Sequence, residues 1–313
     1  MTGRVVLVVG ASSGIGLASA TAFAARGDHL VLVSRSADAL AAAATACRAA
    51  GPGEVDVIAD DIADPAAAKR IVSRVLDRHH RVDVVVHTAT VMGYGTVEEM
   101  PADVFTTIVD TAVHGTLHLA RAVLPVMRRN RKGTFIGVNS LLGSVTVPRM
   151  GAYATAKWGQ RAVLRTLQQE TRDAPGVNVC IVSPGSINTP IYYQAANYTG
   201  RGARPPWPVL APERVAAAVV RLADHPRGNV SVPVGPGNPL IITGFRLLPF
   251  LYDRIVAPLF RLAALTSDRE QPSTGNVNKP VPAEERVHGR WPEPAPGSDP
   301  ARQGTRGEQG LQD

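Results

Sequence analysis

Tyr153 and Lys157 lie four residues apart within residues 151–157, a spacing that suits acid-base chemistry. Residues four apart on a helix face the same way, so the phenol and the ammonium would lie side by side. A neighbouring ammonium lowers the cost of ionising a phenol, whose ordinary pKa of about 10 is too high for proton transfer near neutrality. Surface helices also carry such pairs, so the role of this pair depends on the elements that position it.

An alternation of apolar runs and helical patterns surrounds the pair. Apolar runs ended by glycine or polar residues are typical of strands buried on both faces of a parallel sheet. The sequence therefore predicts an α/β protein with a doubly wound parallel sheet, a Rossmann fold, as a single domain over residues 1–237 with a C-terminal extension. The predicted strands are 5–9, 29–33, 55–59, 82–86, 134–138, 177–182 and 230–234, and the predicted helices are 17–26, 37–50, 65–80, 101–130 with an interruption near 110, 151–172 and 212–224.

A glycine-rich turn separates the first predicted strand from the first helix. Glycine backbone lets a pyrophosphate approach the free N-H groups and the positive dipole end of the helix. Glycines at this spacing also form simple tight turns, but their place directly after a buried strand predicts a dinucleotide site. The residues predicted to form it are Gly10, Ser12, Ser13, Gly14, Ile15 and Gly16.

The second predicted strand leads into Ser34 and Arg35 without an acidic residue. This strand end faces the adenosine ribose in nucleotide-binding units, where a carboxylate would accept hydrogen bonds from the ribose hydroxyls. Arg35 can instead bind a 2'-phosphate with its forked guanidinium. The pattern favours NADP(H) over NAD(H), unless Arg35 is a solvated loop residue before a helix capped by Ser36.

Other candidate site residues follow the later strands. Asp61 and Ile62 come after the third strand, where a carboxylate could accept the adenine amine or could equally begin the next helix. Ser140 follows the fifth strand, and Pro184 and Gly185 follow the sixth. The carboxyl ends of parallel strands share one edge, where open α/β sheets bind ligands. We expect the tyrosine-lysine pair to lie at the same edge.

Three segments lie outside this alternation. Residues 186–209 carry aromatic residues among glycines and prolines, which predicts a substrate lid or a surface excursion packed on the core. Residues 238–265 are apolar and broken by prolines, which predicts a subunit interface, a pocket cover or a membrane-surface contact. Residues 266–313 carry too few apolar residues to offset the entropy of ordering, which predicts a disordered tail.

Composition narrows the class of protein and its compartment. The formal net charge of +7 suits an anionic ligand, but the chain has no nucleic-acid motif, so we predict no nucleic-acid partner. No apolar window is long enough for a transmembrane helix, and the first apolar run is too short for a signal peptide. Cys47 and Cys180 are predicted to be buried thiols rather than a disulfide, which fits a cytoplasmic location. We predict no metal site.

As a set, these residues resemble a classical short-chain dehydrogenase/reductase over about residues 4–234. The resemblance implies a glycine turn for the nucleotide, an adenine-side pair, a catalytic serine, tyrosine and lysine, and a nicotinamide-side loop. The matching positions are Gly10, Gly14 and Gly16 for the turn, Asp61 and Ile62 for the pair, Ser140, Tyr153 and Lys157 for catalysis, and Ala89, Pro184, Gly185, Ile187 and Thr189 for further cofactor contacts.

The resemblance implies an NADP-dependent oxidoreductase that acts on the alcohol or carbonyl of a small molecule. Tyr153 would exchange a proton with the substrate oxygen, Ser140 would hydrogen-bond that oxygen, and Lys157 would also hold the nicotinamide ribose. The aromatic residues of the predicted lid indicate a fairly apolar substrate. Family members commonly form homodimers or homotetramers, which this chain is expected to do as well.

Two positions depart from the family's pattern. Residues 87–90 read His-Thr-Ala-Thr where the family usually has Asn-Asn-Ala-Gly, and the helix asparagine that supports a proton relay to the lysine aligns with Ala112. An alanine side chain cannot hydrogen-bond. His87 and His114 could compensate or could be structural histidines. The departures support a second hypothesis, an NADP-binding regulatory or scaffold protein with weak or no turnover.

Overall fold

Strands and helices alternate through most of the chain, in a computed structural model that describes residues 3–226 and 231–291. The strands are β1 (Val5–Val9), β2 (His29–Ser34), β3 (Val55–Ala59), β4 (Val84–His87), β5 (Gly93–Tyr94), β6 (Gly133–Val138), β7 (Val177–Pro184), β8 (Ala196–Asn197), β9 (Arg201–Ala203), β10 (Ser231–Val234) and β11 (Leu265–Arg269). The helices are α1 (Gly14–Ala24), α2 (Ala37–Ala50), α3 (Ala67–His79), α4 (Ala102–Val109), α5 (Gly115–Arg129), α6 (Gly151–Glu170), α7 (Pro212–Asp224), α8 (Asn238–Leu247) and α9 (Pro249–Ala264).

The central sheet is parallel throughout and has the order β10-β7-β6-β4-β1-β2-β3 within the described residues. The chain runs from β1 outward to β3, then crosses back to β4 and runs outward to the other edge. The predicted doubly wound α/β fold is confirmed. Because β1 and β4 are neighbours whose connections leave in opposite directions, their carboxyl ends form the switch point where such sheets bind ligands. Position 230 of the last predicted strand lies outside the described residues.

Apolar layers on both faces hold the helices against the sheet. Successive residues of a strand point to opposite faces, and all five residues of β1 are buried. Val6 packs in a cluster with Phe23 of α1 and with residues of α2 and α7. Leu7, on the other face, packs in a cluster with Leu119 of α5 and with residues of α3 and α6. The continuous apolar strands thus follow from helices covering both faces.

A π-helical turn interrupts the long predicted helix, as the sequence indicates. It spans Asp110–His114, between α4 and α5. Ala112 is buried in this turn, and its carbonyl accepts a hydrogen bond from the Thr116 hydroxyl at 2.6 Å. Such turns occur frequently at functional sites. This one faces α6, the helix that carries Tyr153 and Lys157.

The two cysteines are buried thiols, as predicted. Cys47 lies in α2 and Cys180 in β7, and neither forms a disulfide. Burial raises the pKa of the Cys47 thiol.

The C-terminal residues form more structure than their composition indicates. The structure corrects the prediction of a disordered tail for residues 266–291, because β11 pairs with β9 and Val277 is fully buried. These residues are ordered by contacts with the rest of the protein rather than by an apolar core of their own. The remainder of the predicted tail, residues 292–313, lies outside the described residues. None of the helices in the described ranges combines the length and the hydropathy that crossing a bilayer would take.

Candidate active site

A cavity of about 970 Å³ opens at the carboxyl edge of the sheet, beside the switch point. Its walls come from the strand ends, α1, α6, residues 184–194, α8 and α9. The structure brings together in this cavity all the residues that the sequence predicts for the site: Gly10, Ser12, Ser13, Gly14, Ile15, Gly16, Ser34, Arg35, Asp61, Ile62, Ala89, Ser140, Tyr153, Lys157, Pro184, Gly185, Ile187 and Thr189.

The glycine turn is shaped for close backbone approach. Gly10 has a φ of 89°, and a Cβ there would lie 2.6 Å from the Ala89 nitrogen. A Cβ on Gly16 would collide with the Gly10 carbonyl. Gly14 begins α1 with a φ of 51°, which side chains rarely allow. The turn therefore places glycine backbone and a helix N-terminus at the cavity, an arrangement that fits a pyrophosphate in place of the Arg286 carbonyl, which accepts the Gly14 N-H at 2.9 Å.

Arg35 is not a solvated loop residue, so that alternative is wrong. Its two terminal nitrogens donate to the carbonyl oxygens of Val277, at 2.7 Å, and of Asn276, at 2.6 Å. Ser36 caps α2 as the sequence indicates, because its hydroxyl accepts the Ala39 N-H at 3.2 Å. Arg35 lines the cavity, but residues far along the chain hold its guanidinium.

The two aspartates after β3 have separate roles. Asp60 forms a two-point ion pair with Arg70 of α3, with the closer oxygen 2.7 Å from the guanidinium. Asp61 accepts the Ala63 N-H at 3.0 Å, so its carboxylate supports the turn before α3. Asp61 also lines the cavity, so the turn-forming role and an adenine contact are both open to it.

The serine, tyrosine and lysine of the predicted catalytic set lie close together. Ser140 lies two residues after the end of β6, beside Tyr153 in the cavity, and its hydroxyl opposes the rise in the pKa of the Tyr153 phenol. The Ser140 oxygen also accepts the Leu142 N-H at 3.2 Å. Tyr153 and Lys157 share one face of α6, with the lysine Nζ 5.7 Å from the centre of the tyrosine ring. This geometry places a phenol and a hydroxyl where both could contact one substrate oxygen.

The pKa of Tyr153 shifts in the opposite direction from the one that the sequence indicates. Burial raises the pKa of this phenol, Tyr192 raises it further, and the Ser140 hydrogen bond opposes the shift. Burial also lowers the pKa of Lys157 to about 7. The lysine Nζ donates to the Val138 carbonyl at 3.2 Å and to Gln160 at 3.1 Å. Its charge is therefore partly lost, which leaves burial to dominate the pKa of the phenol.

A buried amide network holds Lys157, and sequence reasoning missed it. Gln160 accepts a hydrogen bond from Lys157 and one from the Asn139 amide at 3.0 Å, and donates to Thr116 at 3.1 Å. Asn139 also donates to the Lys157 carbonyl at 2.8 Å. Thr116 in turn donates to the Ala112 carbonyl. Gln160 thus gives Lys157 a side-chain hydrogen bond, which the methyl group of Ala112 cannot give. Its place three residues after Lys157 on the same helix was the available signal.

The two histidines considered as substitutes differ from each other. His87 is fully buried, and neither ring nitrogen has a hydrogen-bond partner among the described residues, so it is not a satisfied structural histidine. Burial, aided by the charge of Lys157, lowers the pKa of His87 to about 3, so its ring is neutral. His114 bonds to Asp110 at 2.7 Å and stacks on His118, which is a structural role. The described part of the chain holds no cluster of side chains suited to a metal ion.

The remaining half of the cavity is apolar. Tyr94 and Met92 form one wall, and Tyr192 closes the space next to Tyr153. Leu259 and Phe260 of α9 lie opposite, so the pocket extends from the phenol to the C-terminal helices. Residues 186–209 include short strands and turns rather than a long helix, and Tyr192 belongs to them. The polar groups of the catalytic set therefore face an apolar space of the kind that binds small molecules.

A parallel doubly wound sheet with a glycine turn at its switch point, and a serine, tyrosine and lysine at the same edge, defines an α/β protein of the Rossmann type. The family model described as short chain dehydrogenase matches residues 4–197. The chain belongs to this family, which confirms the resemblance inferred from its motifs.

Similarity extends to curated relatives and to solved structures. Dehydrogenase/reductase SDR family member 7B of Bos taurus is 31% identical over 63% of this chain and 62% of its own length. The protein of that name from Mus musculus is 28% identical over 86% of this chain and 83% of its own length. The crystal structure of a metagenomic short-chain oxidoreductase in complex with NADP has 28% identity and a TM-score of 0.63, over 75% of this chain and 99% of that one. The site therefore belongs to a member of an oxidoreductase family that uses nicotinamide cofactors.

Proposed function

We propose that this protein is an NADP(H)-dependent oxidoreductase that interconverts an alcohol and a carbonyl on a fairly apolar small molecule, with Tyr153 as the acid-base residue. The observation that carries the proposal is the meeting of Ser140, Tyr153 and Lys157 in a cavity that continues to the glycine turn. The apolar surfaces of Met92 and α9 support the substrate class. When bound, the dinucleotide would supply or accept the hydride.

Ser140, Tyr153 and Lys157 would have different roles in the reaction. Because burial raises the pKa of Tyr153, the resting phenol is protonated and suited to donate to a carbonyl oxygen. Ser140, which lines the cavity beside that phenol, would stabilise charge that develops on the same oxygen. Lys157 would hold the ribose next to the nicotinamide, with its amine positioned by Gln160. The oxidative direction needs an ionised phenol, so its rate should rise with pH.

The dinucleotide fits the other half of the cavity. The bare backbone of Gly10, Gly14 and Gly16 would receive the pyrophosphate at the start of α1. Arg35, at an end of β2 that carries no acid, would bind the 2'-phosphate and favour NADP(H) over NAD(H). The neighbouring structure solved with NADP supports this preference. Residues 186–209 would act as the lid over the bound molecules.

Turnover separates this proposal from the regulatory or scaffold hypothesis, which Thr90 and Ala112 favour. We expect a change in absorbance at 340 nm when the protein is mixed with NADPH or NADH and a panel of apolar ketones and aldehydes, or with the oxidised cofactors and alcohols. Binding of NADPH without turnover on any member of the panel would favour the scaffold hypothesis. Absence of binding would contradict both.

The helix pair α8 and α9 presents an apolar surface next to the pocket. Phe250 is 82% exposed and Leu247 is 73% exposed, and further leucines of both helices are exposed. The charged residues of these helices are three arginines and one aspartate, so the surface is net positive. We propose that this surface rests on an anionic membrane, from which an apolar substrate could enter between the helices. A homodimer contact through the same surface is the competing proposal.

Vesicle binding tests this surface. We expect the protein to co-sediment with vesicles that contain phosphatidylserine, and the variant with Leu247→Glu and Phe250→Glu to lose most of that binding. Val97→Glu is the control, because Val97 is 72% exposed on another part of the protein. Sedimentation that is equal for all three proteins would count against the membrane contact. A halved molar mass of the double variant in light scattering would favour the dimer instead.

A further inference from the structure

Residues 271–291, the C-terminal strap, cross the adenosine side of the nucleotide site. The Gly14 N-H, at the start of α1, donates to the Arg286 carbonyl at 2.9 Å. Both terminal nitrogens of Arg35 donate to strap carbonyls. Glu285 lines the cavity beside Ser12 and Arg35, and both of these residues oppose the rise that burial causes in the pKa of its carboxyl. The strap thus engages the Gly14 N-H and the Arg35 guanidinium, two donors that the sequence assigns to the cofactor. The cofactor can use them only if the strap releases them.

Contacts on both sides of Glu285 anchor the strap. Val277 is fully buried in a cluster that includes residues of α4 and α6. Asn276 makes two hydrogen bonds to Gln194, one between backbones at 2.8 Å and one between side chains at 3.1 Å. At the other end, the Gly289 N-H donates to the Asn188 carbonyl at 3.1 Å. These anchors fix the position of the carboxylate relative to the site.

Glu285 brings a negative charge to the place where Arg35 would meet a phosphate. The side chain is half-buried, and burial raises the pKa of its carboxyl while Ser12 and Arg35 oppose the shift. Its Oε2 atom is buried and has no hydrogen-bond partner among the described residues. A 2'-phosphate would be repelled by this carboxylate. A ribose 2'-hydroxyl could instead donate to the unpartnered oxygen.

We propose that Glu285 is a specificity-determining residue, whose carboxylate lines the cavity with Ser12 and Arg35, repels the 2'-phosphate of NADP(H) and affects NAD(H) less. The inference rests on the proposed dinucleotide-dependent function. Arg35 can bind the 2'-phosphate of NADP(H) only after it releases the strap carbonyls. The preference for NADP(H) that Arg35 would give therefore depends on the position of the strap. Glu284 is the natural comparison, since its carboxylate faces Arg290 at 3.5 Å instead of the site.

Equilibrium titration of the full chain tests this role. Binding of NADPH and NADH is measured by fluorescence for wild type, Glu285→Gln and Glu284→Gln. We expect Glu285→Gln to lower the Kd of NADPH about tenfold and that of NADH by less than about threefold, with little change for Glu284→Gln. In an Arg35→Ala background the gain in NADPH affinity should disappear, because the gain depends on the guanidinium.

Hydrogen exchange gives a second readout that a purely structural role would not produce. NADPH should speed the amide exchange of residues 271–291, and NADH should change it less. An NADPH affinity that is unchanged or weaker in Glu285→Gln, or exchange that slows on NADPH binding, would overturn the inference. If none of the proteins binds either cofactor, the proposed function itself fails. If all of them bind NADPH equally, only the role of Glu285 fails.

Discussion

Replacing Tyr153 with phenylalanine should lower kcat by about a factor of 10³ while leaving the Kd of NADPH almost unchanged. The substitution removes only the hydroxyl, which Ser140 contacts, and keeps the ring that lines the cavity. The variant then lacks the phenol that would transfer a proton to the substrate oxygen, although Ser140 can still hydrogen-bond that oxygen. The measurement is steady-state turnover at 340 nm on the best substrate of the panel, together with NADPH titration.

Tyr94→Phe is the matched control for this prediction. Tyr94 is buried on the wall of the same cavity, and burial raises the pKa of its phenol well above the ordinary value. Its loss should change kcat by no more than a few fold, because Tyr94 lies outside the contact between Ser140 and Tyr153. Equal turnover by Tyr153→Phe and wild type would show that Tyr153 is not the acid-base residue.

The sheet could be predicted from the sequence because its central strands are apolar runs that need cover on both faces. Val5–Val9 and His29–Ser34 follow this pattern, and the glycine after β1 marks the strand end. The helix start was placed less well: α1 begins at Gly14 rather than at the predicted position 17, and Gly14 enters the helix with a φ of 51°. The apolar pattern reports burial, whereas a helix start depends on local backbone geometry.

The assembly of the site could also be predicted, since the carboxyl ends of parallel strands must share one edge. Ser140 and Tyr153 are 13 positions apart in the sequence, yet β6 and α6 bring them together in one cavity. The direction of the Tyr153 pKa shift could not be predicted. It depends on how completely the folded chain removes water from the phenol and the amine, and this is a property of packing rather than of spacing.

The order of the C-terminal residues could not be predicted from their composition. Residues 266–291 have few apolar side chains, and average composition predicts disorder for such a chain. Their order comes from single matched contacts, such as buried Val277 and the carbonyls that receive Arg35. The Arg35 hydrogen bonds join positions more than 240 residues apart, and no local pattern encodes them. Arg35 lines the cavity, but its bonds to the strap carbonyls were not predicted.

Replacing Lys157 with methionine should reduce turnover by about 10²-fold or more and weaken NADPH binding, because the amine that would hold the ribose is lost. The loss also leaves the Val138 carbonyl and one hydrogen bond of Gln160 without their donor. The apo protein offers a further test, since the lysine is 1% exposed and burial lowers its pKa to about 7. Stability measurements can therefore examine this residue without any substrate.

The sign of the stability effect follows from the two pKa values of Lys157. In the unfolded chain the pKa is the ordinary 10.5, and in the folded chain it is about 7. Between these values the unfolded chain binds a proton that the folded chain does not, so wild-type stability rises with pH through this window. Below pH 7 the amine is charged in both states, and the folded protein then carries the full free-energy cost of burying that charge. Methionine has no such cost at any pH.

The stability advantage of wild type over Lys157→Met should therefore be smallest below pH 7 and should grow toward pH 10.5, by about 1.4 kcal/mol for each unit that separates the two pKa values. Denaturant unfolding at pH 6 and pH 10 measures this difference. Lys69→Met is the control, because Lys69 is exposed on α3 and its replacement should give a difference that does not vary with pH. Parallel pH profiles for wild type and Lys157→Met would show that Lys157 is charged in the folded protein, and that its amine reaches the site as a full cation.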